Sequence, residues 1–445
     1  MPVRQIVLVA AFAALSGPAG TALAQTSMGG SAAPRPWGRV SFYTNTSRSE
    51  ADDGSTRTFG EVTTSFAYHL PETDTNGLEY GIDVRHSAYP TEPRPRRLSI
   101  YEGFVGGRFA DGSAVVRLGH VWISDLGSLG SLAGGLFEYR QPRLIPEDGR
   151  WRAGVLGGLE PNVLETGYAS QVKKFGSYLA YDGDAARRHA VGYVVVRNSS
   201  LTERAVITAT NFVPAGRKVF LYQASEYDIR QPAGQAHRGL AYFFATVRVL
   251  PTERLDLQGT YNRGRSIDAR SLSEDALNGR PIAAHALDGL LYQSVGGRVT
   301  VEVVRQVRIY AGYARDKNNQ NADPTGRTIV GGYGSNIGGS GVDVTASDSL
   351  LDRPEGSYHS RYVSIGRQIG RPVYVSGDYS TSLSVVRFSR SDGITVETRP
   401  HTTRLSGTAT INVGRSVSLL LTAERTVDNQ IREFRMLSGM SYRMR

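Results

Sequence analysis

Apolar and polar residues alternate along much of the chain. In residues 404–424 one phase is apolar and includes Leu405, Ile411 and Leu421, whereas the other phase carries mainly small polar residues such as Ser406 and Thr408. A period of two predicts β-strands, and a face without polar side chains indicates a surface that does not meet water. The segment therefore predicts a hairpin with one apolar face and one polar face.

The alternation recurs from residue 37 to the last residues and defines twenty candidate strands. The least well defined are the four between 136 and 197. The candidates are 37–46, 57–70, 76–89, 97–109, 112–122, 136–143, 150–158, 170–182, 189–197, 201–212, 217–228, 238–250, 253–264, 291–304, 306–316, 357–369, 372–388, 394–413, 415–426 and 431–445. This series predicts an all-β chain.

The connections between these strands alternate between short and long. The longest are 265–290 and 317–356, the second rich in Gly, Asn, Asp and Ser. The short ones include 109–112, 250–252, 305–306 and 370–371. Short turns at one end, long loops at the other and an even number of strands are typical of an up-and-down membrane barrel. A propeller would show an internal repeat, and a sandwich of this length would show an interdomain linker; neither pattern is present after residue 36.

The energetics of charge decide which phase faces lipid. A charged side chain at the bilayer centre costs about 2–4 kcal/mol on the lipid face of a barrel. The phase that carries Arg298, Glu302 and Arg404 therefore faces inward, and its many Ser, Thr, Gly and Asn residues suit a watery interior. Because hydrocarbon does not tolerate unpaired strand edges, the sheet is expected to close on itself.

Aromatic residues stand near predicted strand ends, where lipid meets water in a membrane barrel. Trp37 opens the first candidate strand, Trp122 ends the fifth, Trp151 begins the seventh, and Tyr442 lies close to the last residue. Ordinary core packing is the alternative explanation for each tryptophan.

The N-terminal residues have the pattern of a secretory signal peptide. Arg4 is followed by an apolar run from Ile6 to Leu15 and by the small-residue ending Ala22-Leu23-Ala24, and the run is too short to span a bilayer. We expect residues 1–24 to be this signal, residues 25–36 to be a short periplasmic segment, and residues 37–445 to form the barrel. Cysteine is absent, so stability must come from the sheet and its packing rather than from disulfides.

The chain carries 51 basic and 41 acidic residues, a formal charge of +10. The basic residues are spread along the sequence rather than clustered, which argues against nucleic acid as a partner. Only four of them are lysines, and preference for Arg through genome composition is as good an explanation as any functional one.

On these features the chain resembles a bacterial outer-membrane β-barrel of the porin type, although no motif points to one subfamily. The resemblance implies a transmembrane antiparallel up-and-down barrel of about 18 strands, within a range of 16–20. The number 18 follows from the twenty candidates if one pair of strands between residues 123 and 158 is not part of the wall. The resemblance also implies contact with outer-membrane lipid and lipopolysaccharide, and insertion by the barrel-assembly machinery. The last strand departs from the usual pattern, because it ends in Arg445 rather than Phe or Trp. The sequence leaves open whether the barrel is a monomer or a homo-oligomer.

Thirteen charged residues of the polar phase are predicted to line the lumen. They are Arg39, Glu61, Asp83, Arg85, Arg117, Arg248, Asp256, Arg298, Glu302, Arg308, Asp378, Arg404 and Glu424. With seven bases against six acids, the expected field favours anions mildly at most. The alternative is that these charges pair with one another and brace the inner wall.

The Gly-rich segment 123–135 follows the fifth candidate strand and has Leu126, Leu129 and Leu132 at a spacing of three. Porin-type barrels often fold a loop at a similar position into the lumen. The candidate constriction residues are Ser124, Asp125, Leu126, Ser128, Leu129 and Ser131. A short helix packed on the rim would show the same leucine spacing and is the alternative.

No catalytic or metal-binding pattern stands out. The His86-Ser87 and His359-Ser360 neighbours point to opposite faces of a strand and cannot form a base and nucleophile pair. No His/Asp/Glu cluster has metal-ligand spacing, so we expect neither an enzyme nor a cofactor.

We expect a channel in the bacterial outer membrane for passive diffusion of small hydrophilic solutes. The alternative is a non-conducting barrel that is structural or binds a surface partner through the loops at 265–290 and 317–356. A polysaccharide export pore would need a more strongly charged or aromatic lining than this sequence offers.

Overall fold

The computed structural model describes residues 36–70, 76–142, 149–161, 167–216, 218–230, 239–282, 286, 289–319, 323–353, 356–389 and 395–444. The expected signal peptide lies outside these residues, as does all but the last residue of the expected periplasmic segment. The division of the chain at residues 24 and 36 therefore stays a prediction.

The described chain is almost entirely strand. The strands are β1 (Trp37–Ala51), β2 (Thr56–Leu70), β3 (Gly77–Ala88), β4 (Arg97–Phe109), β5 (Ala114–Trp122), β6 (Ser131–Arg140), β7 (Arg150–Pro161), β8 (Tyr168–Asp182), β9 (Arg188–Asn198), β10 (Leu201–Ala215), β11 (Val219–Arg230), β12 (Gly239–Thr252), β13 (Leu255–Ser266), β14 (Leu290–Val304), β15 (Val307–Asn318), β16 (Thr325–Gly334), β17 (Val342–Arg353), β18 (Gly356–Ile369), β19 (Val373–Ser389), β20 (Thr395–Thr398 continued by His401–Val413), β21 (Val417–Val427) and β22 (Ile431–Met444). Four short helical pieces complete the regular structure described below: the 3-10 turns Ser124–Leu129, Asp184–Ala186 and Ile337–Gly339, and the helix α1 (Ala269–Leu277).

Each strand pairs with the next in antiparallel register, and the last strand returns to the first. β1 and β22 pair from Gly38 opposite Met444 to Ala51 opposite Ile431. This pairing closes the sheet, so neither of the two terminal strands leaves an unpaired edge. Among the residues that the structure describes, no helix is long and apolar enough to cross a membrane.

The two faces of the wall carry the residues that the alternation predicted for them. Leu405, Val413 and Leu421 project outward and are 60%, 55% and 51% exposed, whereas Ser406 of the opposite phase is only 6% exposed. The C-terminal strand shows the same arrangement, with Phe434 and Tyr442 outward. Such an apolar exterior is stable in a bilayer rather than in water, and closed antiparallel barrels are the form in which strands cross membranes. The structure therefore confirms a porin-type outer-membrane barrel and its location in the outer membrane.

The predicted number of strands is wrong. The wall of the described chain has 22 strands rather than about 18, which also exceeds the predicted range of 16–20. Each of the twenty candidate strands coincides with an observed one, and no pair between 123 and 158 leaves the wall, because β6 and β7 both belong to it. The two missed strands, β16 and β17, lie within the supposed loop 317–356.

Their composition explains why they were missed. β16 contains four glycines, and its inward Gly331 is required by close packing, since a Cβ there would lie 2.7 Å from the Tyr310 hydroxyl. β17 places two acids, Asp348 and Asp352, in its outward phase, and the Asp348 carboxylate pairs with His359 at 2.9 Å and Arg361 at 3.2 Å on β18. Both features blur the alternation that marks a strand.

The two ends of the barrel differ. The end where β1 begins and β22 ends has short connections such as 253–254, 305–306 and 414–416. The opposite end carries the longest connection, 267–289, which includes α1. By analogy with other outer-membrane barrels, the end where β1 begins is periplasmic and the end with the long connection is extracellular.

Candidate functional site

The segment after β5 folds into the barrel rather than onto its rim. It turns through Ser124–Leu129, and the Ile123 amide donates to the Gly130 carbonyl at 3.0 Å, which closes the turn on itself. A Cβ at Gly130 would lie 2.1 Å from the Ile123 carbonyl oxygen, so only glycine permits this closure. We call residues 123–130 the inner loop.

The inner loop is held to the wall by an apolar cluster. Leu126 is fully buried and Leu129 is 7% exposed. Leu126 lies over Gly192 of β9, where a Cβ would come within 2.2 Å of its methyl group. The other members come from the inward faces of β5–β10 and include Leu132, Leu136, Leu156, Val172, Tyr178, Val194, Val196 and Val206. This half of the inner wall is therefore apolar, and the inner loop covers it.

A buried charge network fixes the loop on the periplasmic side. The Asp125 carboxylate accepts hydrogen bonds from Arg152 at 2.9 Å and from Arg188 at 2.7 Å. Arg152 also donates to Glu138 at 2.8 Å and to Asp182 at 2.6 Å. Arg152 and Asp125 are 6% and 3% exposed, and buried charges of this kind are stable only when they are paired and hydrogen-bonded.

Further members complete the charge network. Arg140 and the Tyr178 hydroxyl both donate to the Glu138 carboxylate. The network lines a hollow of about 290 Å³ between the loop and β6–β9. Because the members come from four strands and the loop, the contacts fix the loop relative to the wall.

On the extracellular side, a buried lysine holds the backbone of the loop. The Lys174 ammonium group donates to the carbonyl oxygens of Leu129 at 3.2 Å and Ser131 at 3.0 Å. The same group pairs with the Glu160 carboxylate at 3.2 Å. Lys174 is only 1% exposed, so its charge depends on these three oxygen partners.

The loop also reaches the next part of the wall. The Ser128 hydroxyl donates to Glu226 of β11. Arg204 of β10 bridges Glu226 at 2.9 Å and Asp228 at 2.8 Å. The loop therefore spans the inner wall from β5 to β11.

The helix α1 closes in from the extracellular end. Arg270 pairs with Glu203 at 2.7 Å, and the Ser273 hydroxyl donates to the same carboxylate at 3.3 Å. The Asn198 amide donates to Ser273 at 3.0 Å. These contacts tie a helix that follows β13 to the β9–β10 connection, so α1 lies across part of the barrel mouth.

A cavity of about 1180 Å³ lies between the inner loop, α1 and the wall from β10 to β14. Its lining combines carboxylates, arginines and tyrosine rings. The residues concerned include Glu160, Glu203, Arg204, Tyr222, Glu226, Asp228, Tyr242, Arg270 and Tyr292. The cavity is large enough for small polar solutes and offers them both hydrogen-bond donors and acceptors.

The structure places the thirteen predicted lumen residues on strands, in the phase opposite to the exposed apolar side chains. Eight of them form four ion pairs between neighbouring strands. These are Arg85–Glu61 at 3.7 Å, Arg248–Asp256 at 2.8 Å, Arg308–Glu302 at 3.0 Å and Arg404–Glu424 at 2.7 Å. These ion pairs are what the alternative predicts, in which the charges pair with one another and brace the inner wall. Whether the thirteen residues line an open pore stays a prediction.

The other five predicted lumen residues have different surroundings. Arg117 pairs with Glu79 at 2.7 Å, and Asp378 accepts hydrogen bonds from the Tyr362 hydroxyl at 2.8 Å and the Ser406 hydroxyl at 3.3 Å. The Arg298 guanidinium lies 4.0 Å from the centroid of the Tyr310 ring. Arg39 is opposite Arg443 in the pairing of β1 with β22, and Asp83 is opposite Glu102 in the pairing of β3 with β4.

The six candidate constriction residues come together in or directly after the inner loop. Asp125, Leu126, Ser128 and Leu129 make the contacts described above, and the Ser124 hydroxyl accepts a hydrogen bond from Arg188 at 3.0 Å. The Ser131 hydroxyl contacts His120 at 3.0 Å. The segment therefore lies inside the barrel rather than on its rim, and its role as a constriction stays a prediction.

The sequence reading missed the charged residues that hold the inner loop. These are Glu138, Arg140, Arg152, Lys174, Asp182, Arg188, Arg204 and Glu226. The sequence contains a signal for two of them, because a charged residue between two apolar ones fits the alternation of an inward charge with outward apolar side chains. Glu138 lies between Phe137 and Tyr139, and Arg152 lies between Trp151 and Ala153. Six of the eight lie between residues 136 and 197, where the alternation is least regular, so the sequence alone assigns them to neither face.

Within the described residues, no group of His, Asp and Glu side chains is arranged to hold a metal ion. Most of the charged clusters inside the barrel are instead arginine–carboxylate pairs, such as Arg152 with Asp125 and Arg204 with Glu226.

Comparison with known proteins gives a fold likeness only. No family model matches the sequence, and no curated protein matches it. Among solved structures, the barrel is similar to OccAB4 of Acinetobacter baumannii, at a TM-score of 0.45 and 9% identity over 92% of this chain and 98% of that one. It is also similar to OpdL of Pseudomonas aeruginosa, at a TM-score of 0.43 and 7% identity over 92% and 99% of the two chains.

A third solved structure with this likeness is the translocation pore of the P pilus usher PapC, at a TM-score of 0.43 and 12% identity over 91% of this chain and 99% of that one. At such low identity and structural similarity, these likenesses carry no argument about the function of this chain.

Proposed function

We propose that this protein is an outer-membrane channel through which small hydrophilic solutes diffuse passively. The observation that carries the proposal is the polar inner wall on the side away from the inner loop. There, small polar side chains contact one another across strands: the Thr408 and Thr422 hydroxyls lie 3.1 Å apart, and the Ser418 hydroxyl donates to the Asn412 amide oxygen at 2.7 Å. A dry core would exclude so many small polar side chains, whereas a water-filled lumen accommodates them.

The charged wall residues suit a channel of weak selectivity. The four cross-strand ion pairs neutralise most of the predicted lumen charges locally, so they add little to the field along the pore. Arg298 differs, because its Nε atom is buried and has no hydrogen-bond partner among the described residues. An inward guanidinium without an ion pair to a described carboxylate supports the expected mild preference for anions.

The inner loop and α1 would set the size limit for solutes. A wall of 22 strands encloses a wider lumen than the porins of 16–18 strands, and outer-membrane barrels of this width usually carry internal elements. Here the inner loop covers the wall from β5 to β11, and α1 lies over the extracellular side of the same region. The solute path therefore runs along the polar wall and past the cavity described above.

Planar-bilayer recording of the purified protein tests the proposal. We expect discrete conductance steps, together with uptake of small sugars by proteoliposomes that falls as sugar size increases. Bilayers that receive detergent from a mock purification are the control. Silent bilayers and impermeable proteoliposomes, obtained with correctly folded barrels, would contradict the proposal.

The second candidate is a non-conducting barrel that acts through its outer surface. The observation that favours it is the attachment of α1 to Glu203 and Asn198, which partly covers the mouth. The loop 265–290 would then be the binding element, since the other supposed loop contains β16 and β17. Absence of conductance in both the native chain and a variant with α1 released would support this candidate. We assign no catalytic activity in either case.

A further inference from the structure

Three cations face outward near the extracellular end of β13 and β15, the two strands on either side of β14. Arg263 lies on β13, and Arg315 and Lys317 lie on β15. Between them, Gln293 of β14 is opposite Arg263 on one side and opposite Lys317 on the other. We call Arg263, Gln293, Arg315 and Lys317 the outer basic patch.

The register shows that the patch belongs to the lipid-facing side of the wall. Tyr261, Val295 and Tyr313 share its phase and are exposed by 38%, 55% and 56%. Tyr261 is opposite Val295, which in turn is opposite Arg315. The patch therefore continues an apolar surface that contacts acyl chains toward the extracellular end.

The patch lacks a protein counter-charge. The structure gives none of its three cations an ion pair with a described carboxylate. The Nε atom of Arg263 is buried and has no hydrogen-bond partner within the described chain. This arrangement contrasts with Arg361, which also faces outward but pairs with Asp348 at 3.2 Å. A buried donor without an acceptor is costly, so the patch favours a partner that supplies acceptor oxygens.

A hollow beside the patch provides room for such an acceptor. Its volume is about 460 Å³, and it is lined by Tyr261, Gln293, Ser294, Val295, Arg315, Lys317 and Pro324. Apolar side chains form its membrane-facing part, and cations form the part toward the extracellular end. The shape and the charge thus match an amphiphile with an anionic head.

We propose that the outer basic patch binds the phosphorylated headgroup of a glycolipid of the outer leaflet, lipopolysaccharide being the lipid of that class. The phosphate oxygens accept hydrogen bonds from Arg263 and Arg315, since guanidinium groups match phosphate geometry, and Lys317 adds a point charge. The acyl chains lie against Tyr261, Val295 and Tyr313. This site is on the outside of the wall and is independent of whether the lumen conducts.

The test compares the native protein with the triple variant Arg263→Gln, Arg315→Gln, Lys317→Gln. Native mass spectrometry in detergent would titrate each protein with lipid A and with lipid A from which the phosphates have been removed. Arg367→Gln is the matched control, because Arg367 is an exposed arginine in the outward phase of β18 near the periplasmic end. The glutamine replacements keep hydrogen-bonding groups, and the heat-dependent gel mobility of each barrel would verify its folding.

We expect the triple variant to bind lipid A at least about tenfold more weakly, since each cation near an anionic headgroup contributes separately. The control should bind like the native protein, and dephosphorylated lipid A should bind all three proteins alike. Competition by inorganic phosphate alone at low millimolar concentration would instead identify a site for the free ion. Equal lipid A affinity in the native and triple-variant proteins, or an equal loss in the Arg367→Gln control, would overturn the proposal.

Discussion

Asp125 of the inner loop and Arg188, the first residue of β9, form a hydrogen-bonded ion pair at 2.7 Å. The two residues are 63 positions apart in the sequence. Arg188 lies at the periplasmic end of the wall, so this contact draws the loop from the extracellular side deep into the barrel. The pair therefore attaches the inner loop to the wall close to the periplasmic end of the lumen.

Asp125→Asn should loosen the inner loop. The change leaves Arg152 and Arg188 without this carboxylate, and breaking a buried ion pair from one side typically costs about 3–5 kcal/mol. We expect larger or noisier conductance steps and a lower temperature of barrel unfolding. Asp184→Asn, in the exposed turn before β9, is the control, because its pair with Arg187 is long, at 3.6 Å. Unchanged conductance and unfolding temperature in Asp125→Asn would show that this pair does not hold the loop.

Gly192→Val should displace the inner loop by direct collision. A Cβ at position 192 would lie 2.2 Å from a Leu126 methyl group and 2.8 Å from the Thr208 hydroxyl. We expect faster protease cleavage within residues 123–130 and a wider pore in bilayer recordings. Gly259→Val is the matched control, since no atom lies within 4 Å of a Cβ built there. If both variants are cleaved at the native rate, the loop does not depend on its seat over Gly192.

Arg298→Ala and Arg404→Ala should both move ion selectivity toward cations. Arg298 has no ion pair among the described residues, and removing Arg404 exposes the Glu424 carboxylate that it neutralises at 2.7 Å. The measurement is the reversal potential across a KCl gradient. Arg367→Ala, which removes an outward charge, should leave that potential unchanged. Native selectivity in both inward variants would refute their place on the pore wall.

Arg270→Gln should release α1 from the β9–β10 connection. The variant loses the 2.7 Å ion pair with Glu203, while the neighbouring Arg280→Gln loses only an exposed pair of 3.4 Å with Asp275. We expect Arg270→Gln, but not Arg280→Gln, to admit larger polymers in a size-exclusion assay on single channels. An unchanged cutoff would mean that α1 does not restrict the mouth.

A disulfide should form across the closure of the barrel in the double variant Ser41→Cys, Ser441→Cys. The two serines are directly opposite in β1 and β22, with their hydroxyl oxygens 3.3 Å apart. Directly opposite strand residues have Cα separations that a disulfide can bridge, and the chain has no native cysteine. The double variant should run as a crosslinked barrel on a gel without reductant.

The matched control for the disulfide is Ser41→Cys, Ser438→Cys. Ser438 is opposite Thr44 and faces the other side of the wall, so it should not crosslink with position 41. Crosslinking in the control but not in the first pair would contradict the observed register and hence the closure.

The sequence by itself determined the individual strands and their faces. Lipid outside and water inside impose a period of two on each strand separately, so runs such as 404–413 could be assigned without knowing their partners. The same rule failed where local composition broke the period, as in the glycines of β16 and Asp348 of β17. The error in strand number follows from those two strands and from the supposed loss of one strand pair between 123 and 158, which the wall retains as β6 and β7.

Only the tertiary structure decided what occupies the barrel. The leucine spacing of residues 126, 129 and 132 fits a helix on the rim as well as a loop inside, and the choice depends on contacts with Gly192, Arg152 and Arg188. In the same way, the pairing of Arg270 with Glu203 places α1 over the mouth. These contacts join residues that are far apart in the chain, and they exist only once the wall has closed and fixed which inward side chains face one another.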